Sequence, residues 1–83
     1  IDVAVFLSRH ARFEESDAAF QKAAELAPSS PRLMFERARA YIAAKRNVSA
    51  ARELLDRYLN SPLTPDDPPR GEAEKLLRRA QSS

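Results

Sequence analysis

Apolar residues recur along the chain at helical spacing in five stretches, which short polar or proline-containing segments separate. The clearest stretch covers residues 14–27. Four apolar residues share one face of it: Phe20, Ala23, Ala24 and Ala27. Most of them are small, so a second helix could approach closely. Pro28 ends this helix, and Ser30 followed by Pro31 is typical of the N-cap and first residue of the next one.

The same pattern predicts four further helices, over about 1–12, 31–45, 48–59 and 69–80. The first is apolar nearly all round, with Ile1, Val3, Val5 and Phe6. We therefore expect part of its surface to contact a further segment or another molecule. Asn47 suits either the left-handed residue that ends the third helix or the N-cap of the fourth.

A proline-rich segment separates the last two predicted helices. Residues 61–70 hold four of the six prolines and cannot be helical throughout, so they form a stiff connector. Asp66 and Asp67 lie just ahead of the last helix, where they would complement its dipole.

The chain also matches itself when it is shifted by 34 residues. The shift pairs Ala4 with Ala38, Leu7 with Tyr41, Ser16 with Ala50, Phe20 with Leu54, Pro28 with Pro62 and Pro31 with Pro65. A helix-turn-helix unit of this period resembles the tetratricopeptide repeat. Residues 31–64 resemble a full repeat, with residues of the family's types at Met34, Ala38, Tyr41, Ala50, Leu54 and Pro62.

Residues 1–30 resemble an incomplete repeat. Its matching positions are Ala4, Leu7, Ser16, Phe20, Ala23 and Pro28. Two positions of the second unit depart from the family pattern, Arg37 where leucine is usual and Arg57 where alanine is usual. We expect looser or tilted packing of the third and fourth helices there.

The resemblance implies an all-α single domain over residues 1–83, with antiparallel helix pairs stacked as a right-handed α-solenoid of the tetratricopeptide type. Residues 65–83 then form the proline-rich connector and a C-terminal capping helix. The residues that we expect to be largely buried are Phe20, Ala23, Met34, Ala38, Tyr41, Ala50, Leu54 and Leu77.

Composition supports the helical prediction and narrows the function. The chain has 83 residues with one glycine, and alanine, leucine, arginine and glutamate dominate, so we expect no strands. The absence of cysteine and the single histidine argue against a disulfide framework and a zinc site. A net charge of +2, from 14 basic and 12 acidic residues, does not imply nucleic-acid binding.

The sequence says little about location. No apolar run approaches the roughly 20 residues that span a bilayer, and we expect no membrane partner. The sequence does not determine the compartment, although a soluble cytoplasmic protein is favoured over a secreted one. The richness in alanine and arginine is typical of bacterial proteins. The chain opens on Ile1 rather than methionine, so we expect it to be a piece of a longer protein.

Candidate chemistry is sparse. His10 lies between Arg9 and Arg12, where positive charge favours the neutral ring, and we interpret it as a solvated turn residue. We interpret Glu14 and Glu15 as acidic residues that favour the N-terminus of the second helix, not as an acid/base pair. We interpret Asp66 and Asp67 in the same way, as residues that favour the N-terminus of the last helix and not as a metal site. The eleven arginines could bind phosphate, but interleaved acidic residues favour an ion-paired surface. We expect no enzyme, no cofactor and no metal.

In tetratricopeptide arrays the first helix of each pair lines a concave groove. The resemblance places eight residues there: Ile1, Val5, Ser8, Arg9, Arg32, Phe35, Arg39 and Ile42. An aromatic ring with several arginines suits an extended peptide with acidic groups or a terminal carboxylate. The paired lysine and asparagine pattern of the family's chaperone-tail binders is not present, so that class of peptide is not assigned.

The predicted function is a non-catalytic protein-interaction module, an adaptor or scaffold that binds a peptide or partner protein. An RNA-binding helical repeat and a purely structural or oligomerisation segment stay open as alternatives. Because under two full repeats leave the first helix uncovered, we expect this chain alone to form a homodimer through that helix.

Overall fold

A computed structural model describes residues 2–81. It contains five helices: α1 (Asp2–Arg9), α2 (Phe13–Leu26), α3 (Pro31–Ala44), α4 (Val48–Leu59) and α5 (Arg70–Gln81). No strand occurs between residues 2 and 81, so the all-helical prediction is confirmed for this range. None of these helices has the length and hydrophobicity needed to cross a bilayer.

Most helix boundaries follow the local sequence. The side chain of Ser30 accepts a hydrogen bond from the Leu33 amide at 3.3 Å, and Pro31 occupies the first turn of α3, as predicted. By contrast, α1 ends at Arg9 rather than at residue 12. The chain turns there because Ala11 adopts a left-handed conformation with φ of 59°.

The helix hairpins α1–α2 and α3–α4 have the same kind of turn. Two backbone hydrogen bonds recur 34 residues apart, from the Arg12 amide to the Leu7 carbonyl at 2.9 Å and from the Arg46 amide to the Tyr41 carbonyl at 3.0 Å. Ala11 and Lys45, also 34 residues apart, are both left-handed, with φ of 59° and 55°. The internal repeat read from the sequence is thus present in the backbone of both turns.

After this turn the second hairpin carries one additional residue. Asn47 is left-handed, with φ of 50°, and lies between the turn and α4. The amide of Ser16 bonds the Arg12 carbonyl, whereas the corresponding bond in α4 joins Ala51 to Asn47. The second helices are therefore related by 35 residues, not 34.

This extra residue changes which face of α4 is buried. Ala51, Leu55 and Tyr58 are fully buried. The predicted burial of Ala50 is wrong because Ala50 is exposed, and Leu54 is only partly buried. The core places expected for Ala50 and Leu54 are thus taken by Ala51 and Leu55, the residues that follow them.

The same shift explains one of the two departures from the repeat pattern. Arg57 is exposed because Tyr58 occupies the adjacent buried position. Arg37 is accommodated differently, since its Nε donates to the Tyr41 hydroxyl at 2.9 Å and its guanidinium lies over the Phe20 ring at 6.0 Å. Beside Arg37 a gap of about 190 Å³, bordered by Leu54, is left between the helices.

Helix α3 is the centre of the fold. It packs against all four other helices, whereas within residues 2–81 α1 does not contact α5 and α2 does not contact α4. The other helices therefore pack against α3 in two pairs, α1 with α2 and α4 with α5. This arrangement buries the apolar face of each amphipathic helix against two neighbours.

The core has two parts. The smaller one joins the first hairpin to α3 through Ala4, Phe20 and Leu33, and there the buried Ser16 hydroxyl donates to the Ala4 carbonyl at 2.8 Å. The larger one lies between α3, α4 and α5, and consists of Met34, Phe35, Ala38, Tyr41, Ile42, Ala51, Leu55, Tyr58, Ala73, Leu76 and Ala80.

Four of the residues predicted to be buried are so: Phe20, Met34, Ala38 and Tyr41. Ala23 and Leu77, like Leu54, are only partly buried.

The proline-rich connector is fixed by polar contacts to its carbonyls. The Tyr58 hydroxyl donates to the Pro68 carbonyl, and the Arg70 guanidinium donates to the Leu59 carbonyl at the end of α4. Asp67 is used within the connector, where its carboxylate accepts a hydrogen bond from the Thr64 amide at 2.9 Å. Two of these contacts tie the connector and the first residue of α5 to α4.

Candidate partner-binding groove

A groove of about 590 Å³ is lined by residues of α1, α3 and α5 and of the turn into α2. Because α3 lies between the other two helices, it forms the floor, to which it contributes Ala40, Ala43 and Ala44. Helix α1 supplies Val5 and Arg9 on one side, and α5 supplies the guanidinium-bearing Arg79 on the other. We call this surface the central groove.

A second depression of about 380 Å³ adjoins the central groove between α1 and α3. Four residues border both: Val5, Arg9, Glu36 and Arg39. The depression adds Arg32 and, at its α1 side, Phe6 and His10, whose ring centroids are 4.4 Å apart. The His10 ring therefore lies against an apolar neighbour at the edge of the site.

The structure brings five of the predicted groove residues together. Val5, Ser8, Arg9 and Arg39 line the central groove, and Arg32 lines the adjoining depression. Ile1 lies outside the described residues.

The other two predicted groove residues are not accessible. Phe35 and Ile42 are 4% and 7% exposed, and both belong to the larger core with Leu76 of α5. The prediction that they line an open groove is corrected here, because α5 packs onto that side of α3. The Phe35 ring is 5.4 Å from the ring of Tyr58, which covers it from α4.

Sequence reasoning missed several groove residues. Ala40, Ala43 and Ala44 follow the spacing i, i+3 and i+4, so helical periodicity could have assigned them to one face of α3. Glu36 lies three residues before Arg39 on that helix and pairs with it. No local signal placed Arg79 in the groove, since its position depends on how α5 returns after the connector.

The charges around the groove are mostly positive. Arg39 is bound to Glu36 at 2.6 Å, and its guanidinium also lies 5.9 Å from the Phe35 ring. Arg32 is 3.8 Å from Asp2, and both of these side chains are well exposed. Arg9 forms no ion pair with any residue of the described range. A negatively charged group would therefore find an arginine at several points along the groove.

The described side chains offer little catalytic chemistry. Within residues 2–81 no three His, Cys, Asp or Glu side chains lie close enough together to hold a metal ion. The chemistry that the groove does offer is hydrogen-bond donation by guanidinium groups beside an apolar floor.

Comparison of this chain with protein-family models, with curated proteins and with solved structures finds no match.

Proposed function

We propose that this chain is a non-catalytic protein-interaction module, an adaptor or scaffold, whose central groove binds an acidic segment of a partner protein. The observation that carries the proposal is the combination of an alanine floor with arginines from three helices, Arg9, Arg39 and Arg79. Apolar contact would supply affinity, and the arginines would select and steer a negatively charged partner.

The fold within this proposal is a right-handed α-solenoid of the tetratricopeptide type, with α5 as its cap. Two features support it: the two hairpins with equivalent turns and the central position of α3. In such an array the groove along the first helices is the natural site for a peptide. The proposal requires no cofactor.

A selection from a library of random 16-residue peptides tests this function. We expect the peptides bound by the wild-type chain to be enriched in aspartate and glutamate, and Arg9→Gln to weaken their binding several-fold. The matched control is Arg52→Gln, an exposed arginine of α4 that lies outside the groove. Equal losses in both variants, or selected peptides without acidic enrichment, would contradict the proposal.

RNA binding is the competing function, and the same protein samples decide it. A labelled single-stranded RNA that binds more tightly than the selected peptides, with affinity falling steeply as salt rises, would favour a nucleic-acid module. The interleaved acidic residues Glu36 and Asp2 within the groove and its adjoining depression argue against phosphate-backbone binding there.

A second proposal concerns self-association through α1. Val3 and Phe6 are 66% and 57% exposed, an apolar surface that no other described element covers. Pairing of this surface with that of a second copy would remove it from water. Helix α1 has only eight residues, so the contact is small and the dimer is weak.

A further inference from the structure

We infer that the segment bound in the central groove is an α-helix with an apolar stripe flanked by acidic residues, rather than an extended peptide. This inference rests on the proposed function and specifies the conformation of the partner. It follows from three features of the groove: its shortage of acceptors for the amides of a peptide backbone, the small residues on its floor, and the positions of its arginines.

The first feature is the lining chemistry. An extended peptide leaves its backbone amides and carbonyls unpaired, so a groove that holds one must supply hydrogen-bond partners along its length. Among the described residues that line the central groove, only the side chains of Ser8 and Glu36 can accept a hydrogen bond from a backbone amide, and the Glu36 carboxylate is bound to Arg39. A helix pairs its backbone groups internally and needs no such partners.

The second feature is the floor. Ala40, Ala43 and Ala44 lie at i, i+3 and i+4 on α3, and each is at least partly exposed. Small side chains on one helix allow a second helix to pack at the short end of the usual interaxial range of about 8–10 Å. The larger apolar residues of an incoming helix, also spaced at i, i+3 and i+4, would cover these alanines.

The third feature is the placement of positive charge. Arg9 comes from α1 and Arg79 from α5, so they flank the floor, while Arg39 projects from α3 itself. A helix presents an apolar stripe with polar residues on both sides of it, and acidic residues there would meet arginines on both sides of the groove. A strand turns alternate side chains to opposite faces and would direct half of them away from the protein.

The experiment compares two peptide libraries displayed at equal valency to the full chain. One places random residues at i, i+3, i+4, i+7 and i+8 of a helix-stable alanine and glutamate scaffold, and the other presents linear peptides with a fixed central proline. We expect the helical library to give binders about tenfold tighter than the proline library. Proline binders of equal or higher affinity would overturn the helical inference and leave the proposed function intact. A failure of both libraries would overturn the proposed function as well.

Matched variants of the chain locate the binding. Ala43→Glu places a negative charge on the exposed part of the floor, whereas Ala18→Glu makes the same change at an exposed alanine of α2, outside the groove. We expect the selected helix to bind Ala43→Glu at least tenfold more weakly and Ala18→Glu with unchanged affinity. Circular dichroism checks that both variants keep their helicity. Folded Ala43→Glu protein with wild-type affinity would show that the helix binds elsewhere and would overturn the inference.

Discussion

Arg46 holds Asp17 in a two-point ion pair that joins the second helix hairpin to the first. Its two terminal nitrogens donate to the two carboxylate oxygens of Asp17 at 2.9 and 2.7 Å. The Arg46 guanidinium also lies 4.6 Å from the Phe13 ring, so it touches α2 twice. The hydrogen bond from Arg46 lowers the pKa of Asp17 below its usual value, although partial burial opposes the shift.

The lowered pKa predicts that acid weakens the contact between the hairpins. A carboxylate with a lower pKa in the folded state stabilises the fold above its unfolded pKa, near 3.8, and loses this contribution as pH falls through the folded pKa. We expect Asp17→Asn to lower the free energy of unfolding by about 1 kcal/mol at pH 7. Urea unfolding of both proteins between pH 7 and 2 should show this difference shrinking toward zero at the acid end.

Asp56→Asn is the control for this measurement. Asp56 is an exposed carboxylate of α4, and no ion pair of its side chain occurs within residues 2–81. Its substitution removes one negative charge without touching the hairpin contact. A pH-dependent difference of equal size for Asp56→Asn would mean that the effect reflects net charge and not the Asp17–Arg46 pair.

The shifted register of α4 predicts a clear difference between two adjacent leucines. Leu55 is fully buried, whereas Leu54 is only partly buried beside the gap near Arg37. We expect Leu55→Ala to cost about 2–5 kcal/mol and Leu54→Ala about 1 kcal/mol or less. Chemical denaturation of the two variants measures this. A larger loss for Leu54→Ala would restore the strict 34-residue register and contradict the position of Asn47.

Local chemistry explains why some features could be predicted from the sequence. Ser30 and Pro31 specify a helix start on their own. The Ser30 side chain caps an amide of the first turn, and Pro31 has no amide N–H that would need a partner there. Asn47 suited two positions in one turn, and only packing of α4 against α3 decides the register that follows it. The sequence could therefore predict the number of helices but not that Ala51 and Leu55, rather than Ala50 and Leu54, are the fully buried residues of α4.

Which residues line the groove depends still more on packing between elements that are distant in the sequence. The repeat resemblance predicted Arg9 and Arg39 as groove residues, and both are accessible. The same resemblance predicted Phe35 and Ile42, but they are buried in the core that α5 shares. Since α5 follows a connector shaped by prolines and by hydrogen bonds to its carbonyls, no periodicity of α3 could have indicated this.

Glu36 is predicted to restrain binding at the central groove. Its side chain is only 14% exposed and its carboxylate occupies Arg39 at 2.6 Å, as an acidic group of a partner would. We expect Glu36→Gln to tighten the binding of selected acidic peptides by about three- to tenfold, because the arginine is released and a like charge is removed. Fluorescence anisotropy measures the affinities. Glu53→Gln, on α4 outside the groove, is the control and should leave the peptide affinities unchanged. If Glu36→Gln also left the affinities unchanged, Arg39 would not contact the peptide.

Tyr58 is predicted to be the point at which alkali loosens the C-terminal part of the core. Burial, and secondarily the charge of Asp67, raise the pKa of its hydroxyl. The neutral form thus stabilises the fold below the unfolded pKa of about 10, and this contribution is lost as pH rises through the folded pKa.

Tyr58→Phe tests this prediction. We expect it to cost about 1 kcal/mol at neutral pH, through the lost hydrogen bond to the Pro68 carbonyl, and to reduce the loss of stability above pH 10. Thermal melts at pH 7 and 11 compare this variant with Tyr41→Phe. In the wild type the Tyr41 hydroxyl is bound by Arg37 instead. If Tyr58→Phe and the wild type lost equal stability between pH 7 and 11, the alkaline loss would not come from Tyr58.

Self-association through α1 gives the last prediction. Phe6 and Val3 form the exposed apolar surface of that helix, and Leu26, at the end of α2, is an 81% exposed leucine of a different helix. We expect Phe6→Glu to abolish a weak dimer, with Kd on the order of 0.1–1 mM, because the charge would have to be buried in the contact. Leu26→Glu makes the same chemical change elsewhere and should leave association intact. Sedimentation equilibrium at several concentrations distinguishes the two variants, and a wild-type chain that stays monomeric at millimolar concentration would show that two copies of α1 do not pair.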